Sequence, residues 1–286
     1  MELLLNDGRR IGVSEYGIPG GPPVLYCHGF PGSRLEGRLA HEAAVTVGVR
    51  LIALDRPGYG LSDIQHGRRI GDWPRDAAAV ADAMGIERFA ILGVSGGAPY
   101  ALACAALLPR RTTATGIVAG LGRMERAEDR SGFNRFARAS FWLAQAAPRL
   151  SRKFNCALAP VLRNRMNWVL ALLAARLPPS DRAVIAEPVI YGMLAASLRE
   201  AFRQGGQGAA AELILYVTAW DFDTRTIESP CFLWHGGQDT TVPVSVGRRM
   251  AATIPGCRAE FYPNEGHFSL PLGHMGSILS VLAEHR

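Results

Sequence analysis

Phe89-Ala90-Ile91-Leu92-Gly93-Val94-Ser95-Gly96-Gly97-Ala98-Pro99-Tyr100 is the stretch that decides the fold. Its first six residues form a short apolar run rich in β-branched side chains, the pattern of a buried strand. Residues 98–108 are rich in Ala and Leu and read as a helix. Ser95 stands in the abrupt turn between them. A strand that turns at once into a helix forces the turning residue into an unfavourable backbone conformation. Gly93 and Gly97, two residues to either side, remove the side chains that would collide there. The turn lifts a hydroxyl clear of the sheet beside the N–H groups of a helix N-terminus. Gly-x-Ser-x-Gly in this setting is a nucleophile elbow rather than a plain linking loop.

Outward from the elbow the chain alternates. Upstream lie a predicted hairpin over 2–16 turning at Asn6-Asp7-Gly8, a buried strand at 24–27, a helix at 35–47, a buried strand at 50–54 and an amphipathic helix at 72–84. Downstream comes a strand at 112–118. Short apolar strands alternating with helices imply a mostly parallel sheet covered on both faces. The rhythm breaks near Leu121. To about Arg225 the pattern is helical only, with helices expected at 166–177 and 182–202 and a helical stripe through Phe133, Phe136 and Phe141. Pro148, Pro160, Pro178-Pro179 and Gly205-Gly206 act as punctuation. Alternation resumes with a strand at 231–234, a helix at 245–254, a strand at 259–262 and a closing helix at 272–285. The expected organisation is a core domain over 1–120 and 226–286 with a helical insertion over 121–225.

The chain has 286 residues and a formal net charge of +6. That charge is uneven: residues 123–203 hold 14 basic and 6 acidic side chains, so the remainder is at −2. The excess reads as a solvated, Arg-rich helical face, since no nucleic-acid motif accompanies it. Five scattered cysteines lack metal-ligand spacing and point to free thiols in a reducing compartment. No signal-peptide pattern or membrane-length apolar run is present. The expectation is a cytoplasmic protein without integral membrane association, monomeric or homodimeric, needing no cofactor or metal.

A serine hydroxyl needs a neighbouring base, itself oriented by an acid. In parallel α/β sheets such groups gather at the carboxyl ends of strands. Two stretches comply: His235-Gly236-Gly237-Gln238-Asp239 after one strand and Asn264-Glu265-Gly266-His267-Phe268 after the next. The order Ser95, Asp239, His267 is that of nucleophile, acid and base on an elbow of this kind. The N–H of Gly96 supplies one donor to an oxyanion hole.

With these blocks in place, the sequence resembles a cap-bearing α/β-hydrolase. The likeness rests on His28-Gly29-Phe30-Pro31, Asp55 to Ser62, Gly93 to Gly97, Gly236 to Pro243, and Gly266-His267, each weak singly but five in order. It implies an eight-stranded sheet, with the insertion placed after the sixth strand as a cap. It also implies that His28 is structural, that the N–H of Phe30 is the second oxyanion donor, and that Phe30 lines an acyl pocket with Phe268. His235 and His274 are expected to hydrogen-bond locally, Asp55 to brace a turn, and Asp221 and Asp223 to serve turns. From the insertion, one or more of Phe136, Phe141 and Trp142 are expected to face Ser95 and set substrate size, the alternative being that all three pack the insertion onto itself.

The implied activity is that of a cofactor-free serine hydrolase of carboxylesterase type, acting on a small ester-like substrate through an acyl-enzyme. Lactonase, carbon–carbon bond hydrolase and perhydrolase chemistry on the same triad are the alternatives. Epoxide hydrolases and dehalogenases use aspartate where Ser95 stands. Proline iminopeptidases usually have Gly at the place of Phe30 and Trp at that of Gly96. A non-catalytic ligand receptor on this scaffold often lacks a triad member, whereas all three are here. A membrane or partner role for the basic insertion is a third class.

Overall fold

The computed structural model describes residues 1–285. Its eight-stranded sheet runs β1 (Glu2–Leu4), β2 (Arg10–Gly17), β3 (Pro23–Cys27), β4 (Arg50–Leu54), β5 (Phe89–Val94), β6 (Thr112–Val118), β7 (Cys231–Gly236) and β8 (Arg258–Tyr262). The spatial order is β1-β2-β4-β3-β5-β6-β7-β8. β2 is antiparallel to β1 and to β4, and every other neighbouring pair is parallel.

The parallel strands are apolar on both faces because helices cover both. Alternation along each strand sorts the side chains. Leu25, Cys27, Ile52, Leu54, Phe89 and Ile91 point to one layer, which holds α2 (Trp73–Ala83), α3 (Ala98–Leu107) and α10 (Val244–Thr253). Val24, Tyr26, Leu51, Ala53, Ala90 and Leu92 point to the other, with α1 (His41–Val47) and α11 (Ser269–Ala283). Each fully buried Leu or Ile in these layers contributes about 1.5–3 kcal/mol of transfer free energy. The predicted helix at 35–47 divides in two: a 3-10 segment, Arg34–Ala40, precedes α1. All five cysteines are free.

Between β6 and β7 lie α4 (Arg135–Ala146), α5 (Pro148–Asn164), α6 (Met166–Ala174), α7 (Pro179–Ile185), α8 (Pro188–Ala201) and α9 (Gln207–Tyr216). Pro148 opens α5 at its first turn, where its missing N–H costs nothing. Pro160 lies inside the same helix instead of ending one. The single helix expected over 182–202 is two, because Pro188 begins α8 and interrupts the backbone ladder. The insertion is bonded to the sheet domain: the Ser33 hydroxyl donates to the Ser197 carbonyl at 3.0 Å, and Arg34 bridges Asp55 at 2.7 Å and Glu200 at 2.8 Å. No helix among the described residues is long and apolar enough to cross a membrane.

Candidate active site

Ser95 directly follows β5 and adopts φ 51°, one of two non-glycine residues with positive φ among the described residues. That conformation is costly for an L-residue and persists only where its surroundings impose it. The glycines permit it. A Cβ on Gly93 would stand 2.7 Å from the Gly97 carbonyl oxygen, and one on Gly97 would stand 2.0 Å from that of Cys27. The Ser95 carbonyl accepts the Leu121 N–H at 2.9 Å, tying the elbow to the segment after β6. Ser95 itself is 8 % exposed.

Asp239 follows β7 and His267 follows β8, so both reach the same edge of the sheet as Ser95. The His267 Nδ1 and Asp239 Oδ2 lie 2.7 Å apart. The other Asp239 oxygen accepts the N–H groups of Thr241 at 2.8 Å and Val242 at 2.7 Å, which fixes the carboxylate. Burial disfavours its charge, but His267 and His235, whose Nε2 lies 3.5 Å from Oδ2, together outweigh burial and hold Asp239 at about 2. Burial likewise opposes charge on His267. The Asp239 carboxylate again prevails, with smaller help from Asp181 and Glu36, and the imidazole lies above the usual histidine range.

The rival groups are engaged elsewhere. His28 is fully buried; its Nδ1–H donates to Gly29 O at 2.8 Å while Nε2 accepts the Arg56 N–H at 3.3 Å. Burial and then Arg56 push it well below the histidine range, so it is neutral. His235 bonds the Val242 carbonyl at 2.9 Å, and His274 meets Glu265 at 3.4 Å. Asp55 braces its turn through the N–H groups of Arg34 and Leu61. Asp221 accepts the Gly71 N–H, and Asp223 pairs with Arg225.

The loop carrying Phe30 lies against the elbow. A Cβ on Gly96 would be 2.5 Å from Phe30 Cβ and 3.1 Å from Phe30 N. The Phe30 ring meets Tyr216 edge-on at 5.4 Å, and the Tyr216 hydroxyl donates to the Gly96 carbonyl at 2.9 Å. The Phe268 ring sits edge-on to His267 at 5.2 Å. Phe30 and Phe268 both pack on an apolar cluster built from Tyr59 and residues of the insertion, including Ile185 and Leu194. The expected aromatic group on α4 is placed otherwise. Phe136 and Trp142 are 75 % and 62 % exposed, and Phe141 packs edge-on against Phe133 at 5.6 Å. The inward face of α4 carries Ala137, Phe141 and Ala144, at i, i+4 and i+7, which turns 136 and 142 outward.

Three residues that shape the site have no signal in the sequence. Asp181 on α7, fully buried, accepts the N–H groups of His267, Phe268 and Ser269 at 2.9, 2.8 and 2.9 Å. Glu36 accepts the Gly29 N–H at 2.8 Å and the Tyr26 hydroxyl at 2.9 Å beneath the Phe30 loop, and burial pushes its carboxyl up. Ser33-x-x-Glu36 has capping-box spacing, a local reading that hides this role. The third is Tyr216. Among the described residues no cluster of His, Cys, Asp or Glu could hold a metal ion.

The profile of the alpha/beta hydrolase fold family matches residues 22–273. The chain belongs to this family. It is 27% identical over 283 residues to a non-heme haloperoxidase of Rhodococcus erythropolis, covering 92% of this chain and 90% of that one. Two solved structures share the fold of this family member. An esterase from Exiguobacterium antarcticum superposes with a TM-score of 0.72 at 19% identity, covering 99% of this chain and 98% of that one. The enol-lactonase of Burkholderia xenovorans LB400 also gives 0.72, at 18% identity, covering 100% and 99%.

Proposed function

We propose that the protein is a serine hydrolase that cleaves a carboxylic ester through an acyl-enzyme, with Ser95, His267 and Asp239 as its triad. The observation that carries this is the buried Asp239–His267 pair at 2.7 Å on the strand ends, on the same edge as a serine held at φ 51°. In this mechanism Ser95 Oγ attacks the ester carbonyl while Nε2 of His267 takes its proton. Asp239 keeps Nδ1 protonated and stabilises the imidazolium. The tetrahedral oxyanion is received by the N–H groups of Phe30 and Gly96, whose loops touch. The intermediate collapses, the C–O bond breaks, and the alcohol leaves with the proton from His267. Water, deprotonated by His267, attacks the acyl-enzyme and releases the acid and Ser95.

The insertion serves as the cap in this reading. The acyl group lies against Phe30 and Phe268, with Ile185 and Leu194 of the apolar cluster behind them. Esters of graded acyl length, lactones and amides assayed on wild type and Ser95→Ala test the assignment. Turnover of short esters should fall about 10⁴-fold or more in the variant with the melting temperature kept. A variant that retains most of the activity removes Ser95 as nucleophile.

A further inference from the structure

Between Asp129 and Asp181 the chain has nine basic residues and no acidic one. Helices α4 to α6 lie in this stretch. α5 exposes Leu150, Phe154, Ala157 and Val161, which fall at i, i+4, i+7 and i+11 and so form one stripe along the helix. Its inward side is marked by Ser151 and Ala159. α6 is apolar nearly all round, a composition that ordinarily buries a helix. Met166 and Leu170 are buried, yet Trp168, Ala171, Leu172 and Ala175, at i, i+3, i+4 and i+7, face solvent. Trp168 is 63 % exposed and Phe154 is 53 % exposed. Arg149, Arg152, Lys153, Arg163, Arg165 and Arg176 accompany these stripes, all exposed and none with a carboxylate partner among the described residues.

Exposed aromatic and aliphatic stripes on neighbouring helices are costly in water and mark a surface that something covers. Their charge selects the occupant. A second copy of this face would set six unpaired cations against six more. A bilayer with anionic headgroups instead neutralises them and receives the apolar stripes in its interfacial zone. Tryptophan at the boundary and Arg/Lys beside an apolar stripe are what that zone favours. We infer that the outer face of α5 and α6 adsorbs to anionic lipid surfaces, with Leu150, Phe154, Val161, Trp168 and Leu172 inserted and the flanking Arg/Lys residues on the headgroups. Attachment of this kind is peripheral and reversible, and it holds the hydrolase at a lipid–water boundary, whatever its substrate.

Vesicle flotation tests this without any activity assay. The full chain is mixed with phosphatidylcholine vesicles, or with vesicles containing about one third phosphatidylglycerol, at ionic strengths of about 0.1 M and about 1 M. Binding is expected to the anionic vesicles only and to be released at high salt. Each basic residue near such a surface is worth about fivefold in partitioning, so R149Q/K153Q, which removes the two charges of α5 nearest its stripe, should bind roughly 25-fold more weakly. F154D/W168D should weaken binding at least tenfold. Both positions are exposed, so the melting temperatures of these variants should match wild type. Failure of the wild type to bind anionic vesicles at low salt overturns the inference, as does equal binding by F154D/W168D. Light scattering after size exclusion adds a third arm: a dimer that F154D/W168D dissociates would mean that a second copy covers the face, and the lipid assignment would fall.

Discussion

In the proposed mechanism His267 can act as a base only when neutral, and its surroundings make it easier to protonate than a free imidazole. Its pKa lies above the ordinary value of about 6.5, because Asp239 outweighs burial. The acid limb of kcat/KM should therefore have its midpoint above about 6.5. A limb at or below that value, with chemistry limiting, would contradict the pairing. Asp239→Asn should move the limb down and slow turnover, since it removes the largest source of the upward shift and the stabilisation of the imidazolium. Asp181 acts at one remove. It touches no reacting atom, but its carboxylate gathers three successive N–H groups of the loop that carries His267. In Asp181→Asn an amide N–H would face one of those donors. A buried donor left unpaired costs about 1–3 kcal/mol, so the melting temperature should fall. The acid limb should also move down, because a negative charge beside His267 is gone. A lowered melting temperature with an unmoved limb would make Asp181 purely structural.

At the scale of elements, α9 is held to the sheet domain by charge. Arg56, just past β4, is fully buried and meets Glu212 of α9 through Nη2 and Oε2 at 2.9 Å, while the Tyr59 hydroxyl also donates to Glu212 at 2.9 Å. Burial disfavours the Glu212 charge, but Arg56 overcomes it and holds the carboxyl at about 2. Glu212→Gln leaves Arg56 buried without its counter-charge, which costs about 3–5 kcal/mol. A loss under about 1 kcal/mol by urea denaturation would show that water solvates Arg56 once Glu212 is neutral. The sign of the pH effect follows from the depressed pKa. The pair's contribution is complete above the ordinary glutamate value of about 4.3 and is lost as pH falls through about 2. The sequence makes such elements legible unevenly. The elbow can be read because its cause is local, two glycines flanking one strained serine. Asp239 and His267 can be read because strand ends precede them. Asp181 cannot, since its partners are 86 to 88 residues away and only the packing of α7 on the sheet domain brings them together. The exposure of Phe136 and Trp142 was hidden for a similar reason: spacing shows that α4 is a helix, but which face turns inward depends on its neighbours.

For the molecule as a whole, sequence rhythm makes the insertion look like a separable piece placed after β6. Its helices lie between β6 and β7, yet their polar contacts run into the sheet layer at several independent points. Glu200 pairs with Arg34, Glu212 with Arg56, Asp181 with the His267 loop, and Tyr216 with the Gly96 carbonyl. Removing the insertion strips a partner from each. Loss of Glu212 alone is worth about 3–5 kcal/mol, and total stability of a domain is about 5–15 kcal/mol. Three further buried groups would lose their partners, at about 1–3 kcal/mol each. The apolar cluster packed on Phe30 and Phe268 would go as well, exposing both rings. These losses together match or exceed the stability available. A chain in which residues 121–225 are replaced by a short Gly/Ser linker should therefore lack a cooperative thermal transition and hydrolyse no ester. The decisive measurement is calorimetry of that deletion beside the full chain. A sharp transition within a few degrees of wild type, with ester turnover kept, would mean that the sheet domain stands alone and that the polar bridges contribute little. Grafting back α9 alone, residues 207–216, returns Glu212 and Tyr216 but should not restore folding, because Arg34 and the His267 loop, two of the four bridged groups, still lack the partners that α8 and α7 provide.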